Sequence, residues 1–287
     1  MCDDDIHQGL IHDPTVSRRT FGLMTVAAAG AASAANAAAA KVVETDVTIR
    51  TPDGTADAVL FHPEGKGKWP AVLVWPDVVS LRQVFREMGR RLAAEGYVVL
   101  VPNLYYRVKK APVVESGFNF ANPDDRAKLT PMRATVTPEG TAKDAAAYLA
   151  YLDSRPQTDK RRKAGTQGYC MGGPLAFRTA AAVPNRIGAV ASFHGGGLYT
   201  DKPDSPHLLL PRTRAEYLVL VAENDDKQDP TVKDKLKAAL DAAKLKSKVE
   251  VYPADHGWTV KGSQVYEEAE AERAWAELLA LYKRALA

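Results

Sequence analysis

Apolar positions along this chain fall into short uninterrupted runs, separated by longer amphipathic stretches, from about residue 43 onward. Strands are predicted near residues 43–49 and 56–61, with Pro52-Asp53-Gly54 as the hairpin turn between them. Further runs read as buried parallel strands: Ala71-Val72-Leu73-Val74-Trp75, the stretch after Gly96-Tyr97, residues 187–193, Tyr217-Leu218-Val219-Leu220-Val221-Ala222 and Val249-Glu250-Val251-Tyr252. Helical patterns lie between them. One spans about 81–95, and an alanine-rich one follows Gly173. Thr137-Pro138-Glu139 starts another, with proline at its first position, running to about residue 152. The last, about 263–285, sets Trp275, Leu278, Leu279 and Tyr282 on one largely apolar face. Alternating α and β runs predict an α/β fold in one domain over residues 41–287. Residues 109–136 have weak periodicity and contain Pro112, Pro123 and Pro131; Phe118 and Phe120 there belong either to a lid over a pocket or to an ordinary crossover loop.

Candidate chemistry gathers where the strands end. Gly168-Tyr169-Cys170-Met171-Gly172-Gly173 follows a short β-like run and opens the alanine-rich helix. That is the layout of a nucleophile elbow with cysteine in place of serine. The glycines are required because a Cβ there would clash with the neighbouring strand and helix. The helix N-terminus favours thiolate and an oxyanion beside it. Downstream, the run ending at Ala222 leads into Glu223-Asn224-Asp225-Asp226, and the run ending at Tyr252 leads into Pro253-Ala254-Asp255-His256-Gly257-Trp258. A nucleophile, a carboxylate and an imidazole thus each follow a strand's C-terminal end, the edge where open α/β sheets build sites. A thiol with an unperturbed pKa of roughly 8.5 needs a base or a positive field at neutral pH. His256 can take that proton and return it. Asp225 would fix the imidazole tautomer, being first after the strand, with Asp226 the adjacent alternative. The loop after Trp75, Pro76-Asp77-Val78-Val79-Ser80, would supply one oxyanion-hole N–H from Val78, with the second from Met171.

Taken in order, these segments resemble the dienelactone hydrolase family, which has the α/β-hydrolase fold: a mostly parallel central sheet with helices on both faces. The matching pieces are Pro76-Asp77 and its helix, Glu95-Gly96-Tyr97 through Arg107, residues 168–173, Ser192-Phe193-His194-Gly195-Gly196, residues 222–225 and Asp255-His256-Gly257-Trp258. The resemblance implies a Cys170, Asp225 and His256 triad in a carboxylic ester hydrolase. It places an acidic residue beside the resting thiol; Asp77 stands there, where the family usually has the longer Glu. It implies that Arg107 holds a substrate carboxylate. A second substrate arginine is absent, Thr259-Val260-Lys261 occupying that stretch, with Lys261 as a point-charge substitute. Tyr169 and His194 fall beside the elbow and at a glycine-rich strand end, as substrate-binding or supporting residues. The plainer reading of His194 is a structural histidine bonding a neighbouring loop.

Composition adds compartment and excludes several classes. Of 287 residues, Lys and Arg number 38 and Asp and Glu 35, a formal net charge of +3, with no basic stripe that would suit nucleic acid. No His pair or Cys pair has zinc spacing, so no metal or other cofactor is expected. Ser17-Arg18-Arg19-Thr20-Phe21-Gly22-Leu23 matches a twin-arginine signal, leading to a weakly apolar alanine-rich stretch and an Ala35-Asn36-Ala37 cleavage candidate. Residues 1–40 therefore read as a signal peptide bringing the chain to the twin-arginine export machinery. They argue for a periplasmic or secreted protein without a permanent membrane span. Cys2 would leave with the signal, and the mature chain then holds one cysteine, Cys170. A lone thiol in an oxidising compartment is a liability unless shielded or used. The leading expectation is a small ester or lactone substrate cleaved through a thioester acyl-enzyme. A broad esterase, thioesterase or peptidase-like enzyme is the alternative, and an exported binding protein with a disabled site the third reading.

Overall fold

The computed structural model describes residues 41–287; the expected export signal lies outside them. Strands β1 (Val42–Thr51) and β2 (Gly54–Pro63) form a hairpin about the Pro52 and Asp53 turn, pairing antiparallel. Six strands follow: β3 (Ala71–Trp75), β4 (Val98–Pro102), β5 (Ala164–Tyr169), β6 (Ile187–Phe193), β7 (Glu216–Ala222) and β8 (Ser247–Tyr252). They join one 8-stranded sheet in the order β1-β2-β4-β3-β5-β6-β7-β8. Strands β3 to β8 run parallel, and β2 is antiparallel to both neighbours. The helices are α1 (Gln83–Ala94), α2 (Pro123–Arg133), α3 (Pro138–Asp153), α4 (Gly172–Ala182), α5 (Glu223–Gln228), α6 (Val232–Ala242) and α7 (Glu268–Ala285).

The continuous apolar runs are explained by burial on both sheet faces. Along β3, Leu73 and Trp75 enter a core with Tyr148 of α3, Leu175 of α4 and Leu236 of α6. Val72 and Val74 enter the opposite core with Phe85 of α1 and Leu278 of α7. The period of two sends alternate residues to opposite faces, so both faces need apolar residues and helical cover. Each fully buried Leu or Val contributes roughly 1.5–3 kcal/mol. Among the described residues no helix is long and apolar enough to cross a membrane.

Two expectations are corrected. The 109–136 segment contains a helix, α2. Pro123 sits in its first turn, behind an Asn122 cap that accepts the Asp124 N–H at 2.9 Å. Phe118 and Phe120 are buried in the core with Leu129 and Met132. The C-terminal helix begins at Glu268, because residues 260–267 fold into turns, with the Ser263 N–H on the Val260 carbonyl and the Glu267 N–H returning to that of Trp258.

Candidate active site

Strand β5 delivers Cys170 to a sharp corner before α4, and Cys170 takes the left-handed region at φ 52°. A non-glycine residue there carries strain of order 1–3 kcal/mol, which the surroundings must hold. Here the Cys170 N–H donates to the Phe193 carbonyl at 3.0 Å and to His194 Nδ1 at 3.2 Å, while its carbonyl accepts the Gly173 N–H at 3.0 Å. The glycines are there because the chain crosses itself. A Cβ on Gly168 would lie 1.9 Å from the Gly172 oxygen, and one on Gly172 would lie 2.3 Å from the Trp75 oxygen. On Gly173 it would meet Ser192 Oγ at 2.5 Å.

The ends of β7 and β8 bring the other two groups together. The Glu223 N–H donates to the Ala254 carbonyl at 2.9 Å, and the His256 N–H to Asn224 Oδ1 at 2.9 Å. These bonds lock the two loops, and His256 Nδ1 meets Asp225 Oδ2 at 2.7 Å. Asp226 turns away to Lys233, whose Nζ reaches both its carboxylate oxygens, at 2.7 and 2.9 Å. The choice between the two acids is thus made by geometry in favour of contact with Asp225. His256 Nε2 is buried and makes no regular hydrogen bond. Burial opposes charge on His256, but the neighbouring Cys170 sulfur and then the Asp225 bond outweigh it, and its pKa is raised to about 10. The ring therefore favours its protonated form at neutral pH.

The loop after β3 is braced from several sides. Tyr105 Oη donates to the Val78 carbonyl at 2.7 Å. Ser80, at φ 65°, donates through Oγ to Asn103 Oδ1 at 2.9 Å and accepts the Leu104 N–H at 2.8 Å. Asp77 is wholly buried but does not serve the thiol. Its two oxygens take the Arg82 guanidinium at 2.6 and 2.8 Å, and Oδ1 also accepts the Val79 N–H at 2.9 Å. The shorter side chain has become a loop brace.

A cavity of about 430 Å³ opens over these groups. Cys170, Asp225, His256, Val78 and Met171 line it, with apolar walls from Leu198, Tyr199, Val221, Val232 and Leu236. Its cations are Lys233 and Arg133, the latter from the end of α2. Four expected residues stand elsewhere. Arg107 does not line the cavity: it forms a two-pronged bond to Asp144 at 2.8 and 2.9 Å and another to Asp53 at 2.7 Å. The 3.6-residue turn of α3 puts Asp144 where it captures that guanidinium, so Arg107 is structural. Tyr169 points into the opposite core, stacks on Phe193 with centroids 4.8 Å apart, and accepts from Gln167 Nε2 at 2.7 Å. With Lys261 it lines a separate cavity of about 240 Å³. His194 is buried behind the elbow rather than on the cavity wall. Arg133 escaped the sequence reading; Asn122-Pro123-Asp124-Asp125, a helix-start pattern, was the signal for its helix.

The model of the Dienelactone hydrolase family matches residues 56–286. An Escherichia coli K12 protein named a carboxymethylenebutenolidase is 27% identical over 279 residues, covering 91% of this chain and 97% of its own. A Synechocystis protein of the same name is 26% identical over 244 residues, covering 84% and 96%. The crystal structure of a Klebsiella pneumoniae dienelactone hydrolase superposes with a TM-score of 0.71 at 22% identity, over 85% of this chain and 99% of that one.

Proposed function

The chain belongs to the dienelactone hydrolase family and is a hydrolase of the carboxylic ester class, and from that premise we propose that it cleaves a small ester or lactone with a Cys170, His256 and Asp225 triad. The observation that carries this reading is the 2.7 Å bond from Asp225 to a buried His256 lining the same cavity as Cys170. The Cys170 thiolate attacks the carbonyl carbon, forming the C–S bond as the carbonyl electron pair moves to oxygen. The oxyanion accepts the N–H groups of Val78 and Met171, two residues that line the cavity with Cys170. Collapse breaks the C–O bond, and His256 protonates the departing oxygen. Water, giving a proton to His256, then attacks the thioester, and the C–S electrons return to sulfur. The test is turnover of aryl acetates and simple lactones by Cys170→Ala and His256→Gln; full activity in Cys170→Ala refutes the proposal.

A broad esterase is favoured by one further observation: Arg107 is committed to Asp144 and Asp53, and apolar side chains dominate the cavity wall. A strong preference for anionic lactones over neutral aryl esters would exclude it. Twin-arginine export belongs to the same proposal and rests on Arg18-Arg19 and Ala35-Asn36-Ala37. Cell fractionation tests it; export of an Arg18→Lys, Arg19→Lys variant at the normal rate would count against that route.

A further inference from the structure

His194 is neither part of the cavity wall nor a filler. It directly follows β6, in the left-handed region at φ 41°, and its N–H donates to the Leu220 carbonyl of β7 at 2.8 Å. That backbone turn aims the ring into the space between the elbow and the base loop. Nδ1 accepts the Cys170 N–H at 3.2 Å, which fixes the proton on Nε2. Nε2 meets Thr259 Oγ1 at 3.0 Å, three residues past His256. The ring lies 4.8 Å from the His256 ring and 5.1 Å from that of Trp258.

We propose that His194 is a positioning residue of the acyl-transfer site: one imidazole that ties the backbone of the nucleophile to the loop carrying the base, and so sets the separation of sulfur and His256. The inference rests on the triad reading above. Chain connectivity alone leaves these parts independent, since Cys170 belongs to the β5–α4 corner and His256 to the loop after β8. His194 and Thr259 bridge them with two buried hydrogen bonds, each strong and costly to leave unmade. A misplacement of 1 Å between reacting groups costs up to about 100-fold in rate, so a clamp at this point acts on the chemistry.

The clamp works only while His194 is neutral. Protonated Nδ1 would be a donor facing the Cys170 N–H. Its titratable neighbours are Tyr169 on β5, Cys170 on the elbow and His256, with Asp225 on the far side of His256. Burial, and after it the charge on His256, holds the His194 pKa well below its ordinary value. The pair therefore divides one positive charge unequally: His256 carries it and His194 does not.

The test uses the full chain in a Cys2→Ser background, so that Cys170 is its one thiol. Iodoacetamide alkylation against pH reads the thiolate–imidazolium pair without any substrate. His194→Phe removes both bonds, Thr259→Val removes the far one, and His194→Gln keeps an N–H donor for Thr259. We expect the alkylation midpoint to rise by about one pH unit in His194→Phe and Thr259→Val, roughly tenfold in thiolate at a fixed lower pH. We expect kcat on an aryl ester to fall by about tenfold with KM within about twofold. His194→Gln should recover much of both. Unchanged alkylation profiles in folded Phe and Val variants overturn the proposal, as does a fall in kcat with no shift in midpoint, or a Gln variant no better than Phe. Should His194→Phe not fold, Thr259→Val decides alone. If Cys170→Ala kept full turnover, the triad reading would fail, while the alkylation result would still report on the clamp.

Discussion

Replacing Gly172 by alanine asks whether the elbow sets the oxyanion hole. The new Cβ would lie 2.3 Å from the Trp75 oxygen and 2.6 Å from the Pro76 oxygen. Such atoms keep roughly 3.5 Å apart, so something must yield by about 1 Å. Both obstacles are backbone, and no rotamer relieves them. What yields is the spacing between the corner holding Met171 and the loop holding Val78, whose N–H groups are assigned to the same oxyanion. Overpacking of this kind costs about 1–3 kcal/mol of stability, offset by at most about 1 kcal/mol from alanine's better helix propensity. Loss of one oxyanion donor costs about 10²–10³ in kcat. Gly172→Ala is therefore expected to lose about 1–2 kcal/mol in urea unfolding. Its kcat should fall about 100-fold with KM little changed. Gly196→Ala is the control, since nothing stands within 4 Å of its added Cβ; its stability should stay within about 0.5 kcal/mol of the parent. A folded Gly172→Ala protein with normal kcat, or one more stable than the parent, refutes the argument.

Asp225→Asn should cut kcat by up to about 10⁴-fold by spoiling the tautomer of His256, whereas Asp226→Asn, whose partner is Lys233, should leave steady-state ester turnover within about twofold. Arg107→Met should destabilise the fold by about 3 kcal/mol in chemical denaturation, because it strands a buried Asp144 carboxylate. It should not alter the preference between anionic and neutral esters. The raised pKa of His256 gives a stability contribution that is fully present below its unfolded value of roughly 6.5. That contribution is lost as pH rises towards about 10, so the urea midpoint should decline across that window relative to His256→Gln.

How much of the site was legible depended on what kind of constraint produced each part. The elbow glycines could be read because close backbone approach admits no other residue, and the clashes at Gly168, Gly172 and Gly173 are that constraint in numbers. Cys170, Asp225 and His256 could be ordered because parallel strands send their following loops to one edge. Side-chain partnerships across the fold were not legible. Arg107 lies 37 residues before the Asp144 that captures it, and no local pattern marks the pair. Asp77 could be placed in the loop, yet its choice of Arg82 over the thiol is set by side-chain length and loop curvature. Helix α2 was hidden by prolines that sit in its first turn and near its end, where they do not stop it. Tyr169 shows the limit of position alone, because the residue preceding the nucleophile points to the other face of the sheet.

In the proposed mechanism one imidazole must hold a proton for the attack and accept one for the hydrolysis, and the surroundings of His256 supply a reason it can do both. Burial pushes its pKa down; the charge and close approach of the Cys170 sulfur, and the bond and charge of Asp225, push it up. Two of the four upward influences belong to the sulfur, the larger of them its charge. When the thiolate becomes a thioester its charge is gone, and with it both of those influences. Asp225 alone remains against the burial, and its side chain is 24% exposed, so water weakens its hold. On that proposal the pKa of His256 falls on acylation, towards the range where a neutral ring can take a proton from water. A neutral His194 beside it leaves that balance to the sulfur, because it adds no fixed positive charge of its own. The nucleophile's own charge thus tells the base which half of the reaction it is in. A serine at position 170, neutral in both states, would give His256 no such signal.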